Sequence, residues 1–139
     1  MSIATPGRAS PPAQVPAALT ELLLQQPQLM FSVLVGSRAT GNTHTGSDWD
    51  IALQWAPDVE WMCILGQTET LRVQLAQALH VSPQTIDLID LRRANLAMRA
   101  AVAEEGVPLT GTDGLAWMHF LQRTWHELEE HYWEQQHAA

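Results

Sequence analysis

Apolar positions along the chain recur at two spacings, and the switches between them predict the order of elements. Leu19, Leu22 and Leu23, continued by Gln26, keep helical spacing between Pro16 and Pro27, which predicts a first helix over 16–26. Leu29–Val35 is a run of strand formers that stops at Gly36, predicting the most central strand. A second strand over 48–55 alternates strictly. Asp48 and Asp50 share one face, and Trp49, Ile51, Leu53 and Trp55 share the other. That parity assigns one face to chemistry and the other to core. Behind Asp58, a good N-cap, Trp61, Ile64, Leu65, Thr68, Leu71, Leu75 and Leu79 recur every three or four residues and predict a long helix.

The second half continues the alternation. Residues 85–91, Thr-Ile-Asp-Leu-Ile-Asp-Leu, form a short apolar strand with two more carboxylates. A helix over 93–105 ends at Gly106, Val107–Thr110 suits an edge strand that tolerates Pro108, and Thr112 or Asp113 caps a last helix over 113–136. The order α-β-β-α-β-α-β-α describes an α/β fold: a small mixed β-sheet covered by helices. Residues 1–14, with Pro6, Gly7, Ser10, Pro11 and Pro12, lack periodicity and are expected to be a flexible leader to one domain over 15–139.

Composition narrows the function. The 139 residues carry 15 acidic and 7 basic side chains, for a net charge of −8, and every basic residue is arginine. Lysine-based catalysis is excluded. An acidic surface repels a phosphate backbone, so extended nucleic acid is a poor partner, while a metal-bound nucleotide or a basic protein surface suits it. No apolar run approaches the roughly 20 residues of a membrane helix, so a soluble, cytoplasmic protein without a membrane partner is expected. Cys63 is the sole cysteine and is expected to be a buried core residue.

The chemistry concentrates between residues 36 and 50. Two carboxylates at i and i+2 on a strand project the same way with Cα atoms about 6.5 Å apart, close enough to share a magnesium ion. A third carboxylate on a neighbouring strand would complete a two-metal clamp for phosphoryl displacement. Asp87 is the candidate, because a mid-strand carboxylate is costly unless something binds it. Asp90 has the opposite parity and suits a cap or solvent. Gly36 permits close approach to a ligand, and the following turn aims N–H groups and the Ser37 hydroxyl at triphosphate oxygens. Arg38 would add positive charge toward a phosphate.

Gly36-Ser37, ten intervening residues, then Asp48-Trp49-Asp50 resembles the Gly-Ser…Asp-x-Asp signature of the polymerase-beta-like nucleotidyltransferase superfamily. With residues 86–91 and 106–109, the chain is similar over roughly 17–112 to the minimal nucleotidyltransferases, the MntA-type antitoxins of HEPT/MNT toxin–antitoxin pairs. The resemblance implies transfer of AMP from ATP to a tyrosine of a HEPT-type toxin, silencing its ribonuclease activity. It also implies that Ser37 contacts triphosphate, that Asp48 and Asp50 bind two Mg2+ ions, and that Asp87 helps bind metal or accepts the proton of the attacking hydroxyl. Thr40 departs from the arginine or serine of many relatives, which bears on loop contacts. Two other functions remain open: a binding antitoxin acting by occlusion, and nucleotidyl transfer to a small molecule.

Other features suit structural roles. His126 and His131 flank an acidic run as in a zincin helix, but five-residue spacing separates them by about 140° around the helix. His80, His119 and His137 form no pattern, and His44 belongs to a polar loop near the site. Trp49, Trp55 and Trp61 fit the sheet–helix core. Trp117, Trp125 and Trp133 form a slanting stripe with Leu121 and Leu128, with core packing the default and an interface the alternative. Glu127, Glu129, Glu130 and Glu134 fit a solvated face, or a surface that docks a basic toxin.

Overall fold

A computed structural model describes residues 15–42 and 46–138. The predicted leader and the loop histidine His44 lie outside the described residues. The elements are α1 (Ala17–Leu24), β1 (Leu29–Val35), α2 (Ser37–Thr40), β2 (Trp49–Trp55), α3 (Trp61–Leu79), a 3-10 turn (Pro83–Thr85), β3 (Ile86–Asp90), α4 (Leu96–Glu105), β4 (Val107–Thr110) and α5 (Leu115–His137). The α/β expectation holds. The additions are short: the single-turn helix α2, in a stretch expected to be a plain turn, and the 3-10 turn before β3.

The four strands form a mixed sheet in the order β3-β2-β1-β4. β1 runs antiparallel to both β2 and β4, while β2 and β3 are parallel. A parallel pair needs a crossover, and α3 supplies it. Pro108 sits on the edge strand β4, where a missing N–H leaves no central ladder bond open. The one hydroxyl buried in β1, Ser32, bonds Thr110 Oγ1 on β4 at 2.6 Å.

Core packing occupies both faces of the sheet, which corrects the expectation that one face is chemistry alone. α1 and α3 cover Leu34, Trp49, Ile51, Leu53 and Trp55 with Leu19, Leu23, Ile64, Leu71 and Leu75. α4 and α5 cover Phe31, Val33, Val35 and Ala52 with Val102 and Phe120. The reason lies in β1: five consecutive residues, Phe31 to Val35, are buried, as a central strand covered on both sides requires. Each fully buried Leu or Ile contributes roughly 1.5–3 kcal/mol. The aspartate face therefore carries a second core, and the carboxylates stand at its end, where β2 and β3 begin.

Helix starts differ from expectation wherever a turn competes for the cap. α3 begins behind Glu60, because buried Val59 donates its N–H to the Ala56 carbonyl at 3.2 Å and prolongs the turn past Asp58. α5 begins behind Gly114 instead of Thr112 or Asp113, after a turn in which Gly114 N–H donates to the Gly111 carbonyl at 3.2 Å. α4 is capped by Asn95, whose side chain accepts the Met98 N–H at 2.9 Å. Gly106 does end α4, though in extended backbone. A Cβ there would collide with the Val102 carbonyl and with Val33 of the sheet, so close packing demands the glycine.

Several apolar assignments are corrected. Cys63 is exposed, one position out of phase with buried Ile64 on α3. Trp61 is 38% exposed and carries the Arg93 guanidinium 4.1 Å from its ring centroid. Of the α5 stripe, Trp117 and Leu121 pack against the core, Trp117 edge-on to Phe31 at 5.0 Å and stacked on Phe120 at 5.5 Å. Trp125 and Trp133 are exposed, and only Phe120 and Thr124 are buried along the 23-residue helix. Among the described residues no helix is long and apolar enough to cross a membrane.

Candidate active site

β1 ends at Val35, which pairs across the sheet with Asp50. The next residue, Gly36, adopts φ 75° and ψ −157°, a conformation side chains rarely reach. A Cβ at Gly36 would also collide with Oδ2 of Asp50. The glycine is thus needed twice, for its backbone and for the carboxylate lying against it. Its carbonyl accepts the N–H of Ala39 at 3.0 Å and of Thr40 at 3.2 Å, forming α2, which left-handed Gly41 closes.

The structure brings the three predicted carboxylates to one corner. Asp50 is the second residue of β2 and sits in register with Asp87, the second residue of the parallel strand β3. Neighbouring strands lie about 4.8 Å apart, so both side chains rise from adjacent backbones on one face. Asp48 immediately precedes β2. Asp50 is half-buried, while Asp48 and Asp87 are exposed. Exposure of Asp87 corrects the argument from burial cost: β3 is an edge strand, so its carboxylate meets solvent.

The electrostatics follow from this arrangement. Burial first, then the charge of Asp87, then that of Asp48, holds the Asp50 carboxyl above its ordinary value near 3.8. The ion pairs among the described residues are Arg72–Glu69, Arg99–Glu127 and His126–Glu130, so none neutralises this trio. Crowded carboxylates without a counter-charge, all hard oxygen donors, fit a divalent cation such as Mg2+. Among the described residues no three His, Cys, Asp or Glu side chains are close enough to enclose an ion by themselves. Mg2+ keeps several waters and takes substrate phosphate oxygens, so an incomplete protein shell suits it.

Arg38 is engaged within its own loop. Its Nε and Nη2 donate to the Ser47 carbonyl at 3.2 and 2.8 Å, and its guanidinium lies 4.0 Å from the Trp49 ring centroid. This latch ties α2 to the entrance of β2, one residue before Asp48. Sequence reasoning missed it because parity assigned Trp49 to the core; an arginine and a tryptophan flanking one loop was the only signal. Half-exposed Ser37 opens α2 beside Gly36. Asp90 stays apart from the trio, with Oδ1 accepting the Arg92 N–H at 3.0 Å, as the capping expectation held.

Residues 17–114 match the family model described as Polymerase beta, Nucleotidyltransferase, and the chain belongs to that family of nucleotidyltransferases. It is similar to the protein adenylyltransferase MntA of Aphanizomenon flos-aquae (strain 2012/KM1/D3), with 32% identity over 107 residues, 73% of this chain and 70% of that protein. Its fold matches a chain of a toxin–antitoxin crystal structure with AMP-PNP, at TM-score 0.66 and 28% identity, covering 86% of this chain and 90% of that one. It also matches a chain in the complex of tri-AMPylated Shewanella oneidensis HEPN toxin with MNT antitoxin, at TM-score 0.59 and 27% identity, covering 84% and 85%.

Proposed function

We propose that this chain is an antitoxin that transfers AMP from ATP to a hydroxyl, a tyrosine in the reading favoured here, of a HEPT-type toxin and thereby neutralises it. The observation that carries the reading is the register of Asp50: it pairs with Val35 before the glycine turn on one side and with Asp87 on the other. One substrate held by the turn thus meets the carboxylates directly. The adenylylating relative and the AMPylated toxin complex support the same chemistry.

In this reading Gly36 and Ser37 bind triphosphate oxygens through backbone N–H groups and the Ser37 hydroxyl. Arg38 keeps that turn in place against Trp49 and Ser47. Asp48, Asp50 and Asp87 would hold Mg2+, two ions in the full clamp, which supplies charge neutralisation to the triphosphate and the leaving pyrophosphate. Asp87, the most open of the strand carboxylates, accepts the proton of the attacking hydroxyl. The acceptor oxygen forms a bond to the α-phosphorus, the bond from that phosphorus to the bridging oxygen breaks, and pyrophosphate leaves with its electron pair.

The test is label transfer from α-labelled ATP to the HEPT-type protein of the neighbouring reading frame, with and without Mg2+. Label on the toxin from wild type, absent with Asp48→Ala/Asp50→Ala, is expected. A double variant that still protects cells without transferring label would replace this reading with neutralisation by occlusion.

A further inference from the structure

At the far end of β3 from the carboxylates, a pocket of about 210 Å3 is lined by Leu91, Arg92, Ala94, Arg99, Arg123 and Glu127. Three of the chain's seven arginines meet there, in a protein of net charge −8. They come from three places: Arg92 from the turn after β3, Arg99 from α4 and Arg123 from α5. Arg92 is fixed, its Nη1 donating to the carbonyls of Ala56 at 3.1 Å and Val59 at 2.9 Å. Arg99, 13% exposed at its side chain, gives Nη2 to Glu127 Oε2. Its other terminal nitrogen, Nη1, is buried and has no hydrogen-bond partner among the described residues.

A buried guanidinium N–H left unpaired forfeits a hydrogen bond, which an acceptor oxygen drawn into the pocket would restore. Three guanidinium groups against the single carboxylate of Glu127 leave an excess of two positive charges. Planar N–H forks match the paired oxygens of a phosphate, and the volume equals that of about seven liquid waters, enough for a hydrated phosphate group. We propose that this pocket is a second anion site, separate from the Asp48–Asp50–Asp87 corner, that takes a tetrahedral oxyanion: a phosphate group, free or carried by a nucleotide. Glu127, 38% exposed at its side chain, is the built-in competitor that shares Arg99 with the ligand.

The test is a 1H–15N NMR titration of the full chain with inorganic phosphate, and in a second arm with AMP, at constant ionic strength. Saturable shifts are expected at residues 91–95 and around Arg99 and Arg123, and they persist in Asp48→Ala/Asp50→Ala. Arg123→Gln, a solvent-facing change that leaves the core intact, should weaken binding about tenfold, the loss of one charge-assisted bond. Glu127→Gln should tighten it several-fold, whereas a merely structural Arg99–Glu127 pair predicts no change. AMP tighter than phosphate at the same residues assigns the site to nucleotides, and equal affinity assigns it to free phosphate; both support the site. A linear, unsaturated response, shifts confined to residues 36–50, or a response indifferent to both Arg123→Gln and Glu127→Gln overturns it.

Discussion

β2 and β3 run in parallel and begin in register, and their two ends treat charge differently. At the beginning, Asp48, Asp50 and Asp87 face one another with no cation among the ion pairs of the described residues. At the end, a single aspartate, Asp90, gives one oxygen to a turn N–H while the other is buried without a partner among the described residues, Arg92 is held by two carbonyls and Arg99 pairs with Glu127. Both ends hold aspartates of the same strand, three residues apart. The difference teaches that a carboxylate's neighbours, more than its presence on a strand, separate chemistry from structure: three carboxylates crowded at one corner suit a shared cation, whereas a single one bonded to its own turn does not.

The sharpest way to break that contrast is to remove one aspartate from each end. Asp87→Asn should lower AMP transfer about 10²–10⁴-fold, the range for losing a proton-accepting or charge-stabilising group, with folding unchanged. Asp90→Asn should leave transfer near wild type, because an amide oxygen can still accept the Arg92 N–H. Equal losses in the two variants, measured by initial rates on the same toxin preparation, would abolish the distinction. Next in size is Gly36→Ala. It forces a Cβ into a positive-φ position and against Asp50, so a loss of about 1–3 kcal/mol in chemical denaturation is expected. The displaced carboxylate should also lower transfer by roughly 10²-fold at equal folded fraction.

Much of this contrast was legible in the residue pattern, for identifiable reasons. β1 and β4 match expectation residue for residue, since Gly36 ends the first and Pro108 marks the second as an edge. The carboxylate corner was legible because i and i+2 on a strand must share a face. Asp87 was reached by the right parity and the wrong energetics: nothing in one sequence says that β3 is an edge strand and its carboxylate exposed. Exposure of Cys63, Trp61, Trp125 and Trp133 was hidden for a related reason. Periodicity locates an apolar stripe but cannot say how far the neighbouring elements extend to cover it. Caps at α3 and α5 failed because turns anchored by Val59 and by the Gly111–Gly114 pair compete with the nearest aspartate or threonine.

A smaller effect tests how the beginning of β2 is held. Arg38→Ala removes a cation–π contact and a carbonyl bond, and should cost about 1–2 kcal/mol of stability. If Arg38 only positions the loop, Arg38→Lys, which keeps the charge but loses the planar stack, should behave nearly like alanine in the rate of transfer. Recovery of the wild-type KM for ATP by lysine would instead make the charge itself the contact with phosphate.

The smallest effect concerns Asp50 in the metal-free protein. Burial and the charges of Asp87 and Asp48 hold its folded-state pKa above the unfolded value. The native state therefore binds more protons than the unfolded chain between those two values, and stability falls as pH rises through that window. Above that window the ionised Asp50 carboxylate is repelled by its neighbours, so Asp50→Asn should there raise the melting temperature slightly without metal and flatten the pH dependence through the window. Added Mg2+ should stabilise wild type and do less for the asparagine variant, because binding requires the ionised carboxylate. A melting temperature of Asp50→Asn below wild type at every pH, with or without Mg2+, would mean that Asp50 is a structural carboxylate with a partner, and the contrast between the two ends of the strand pair would collapse.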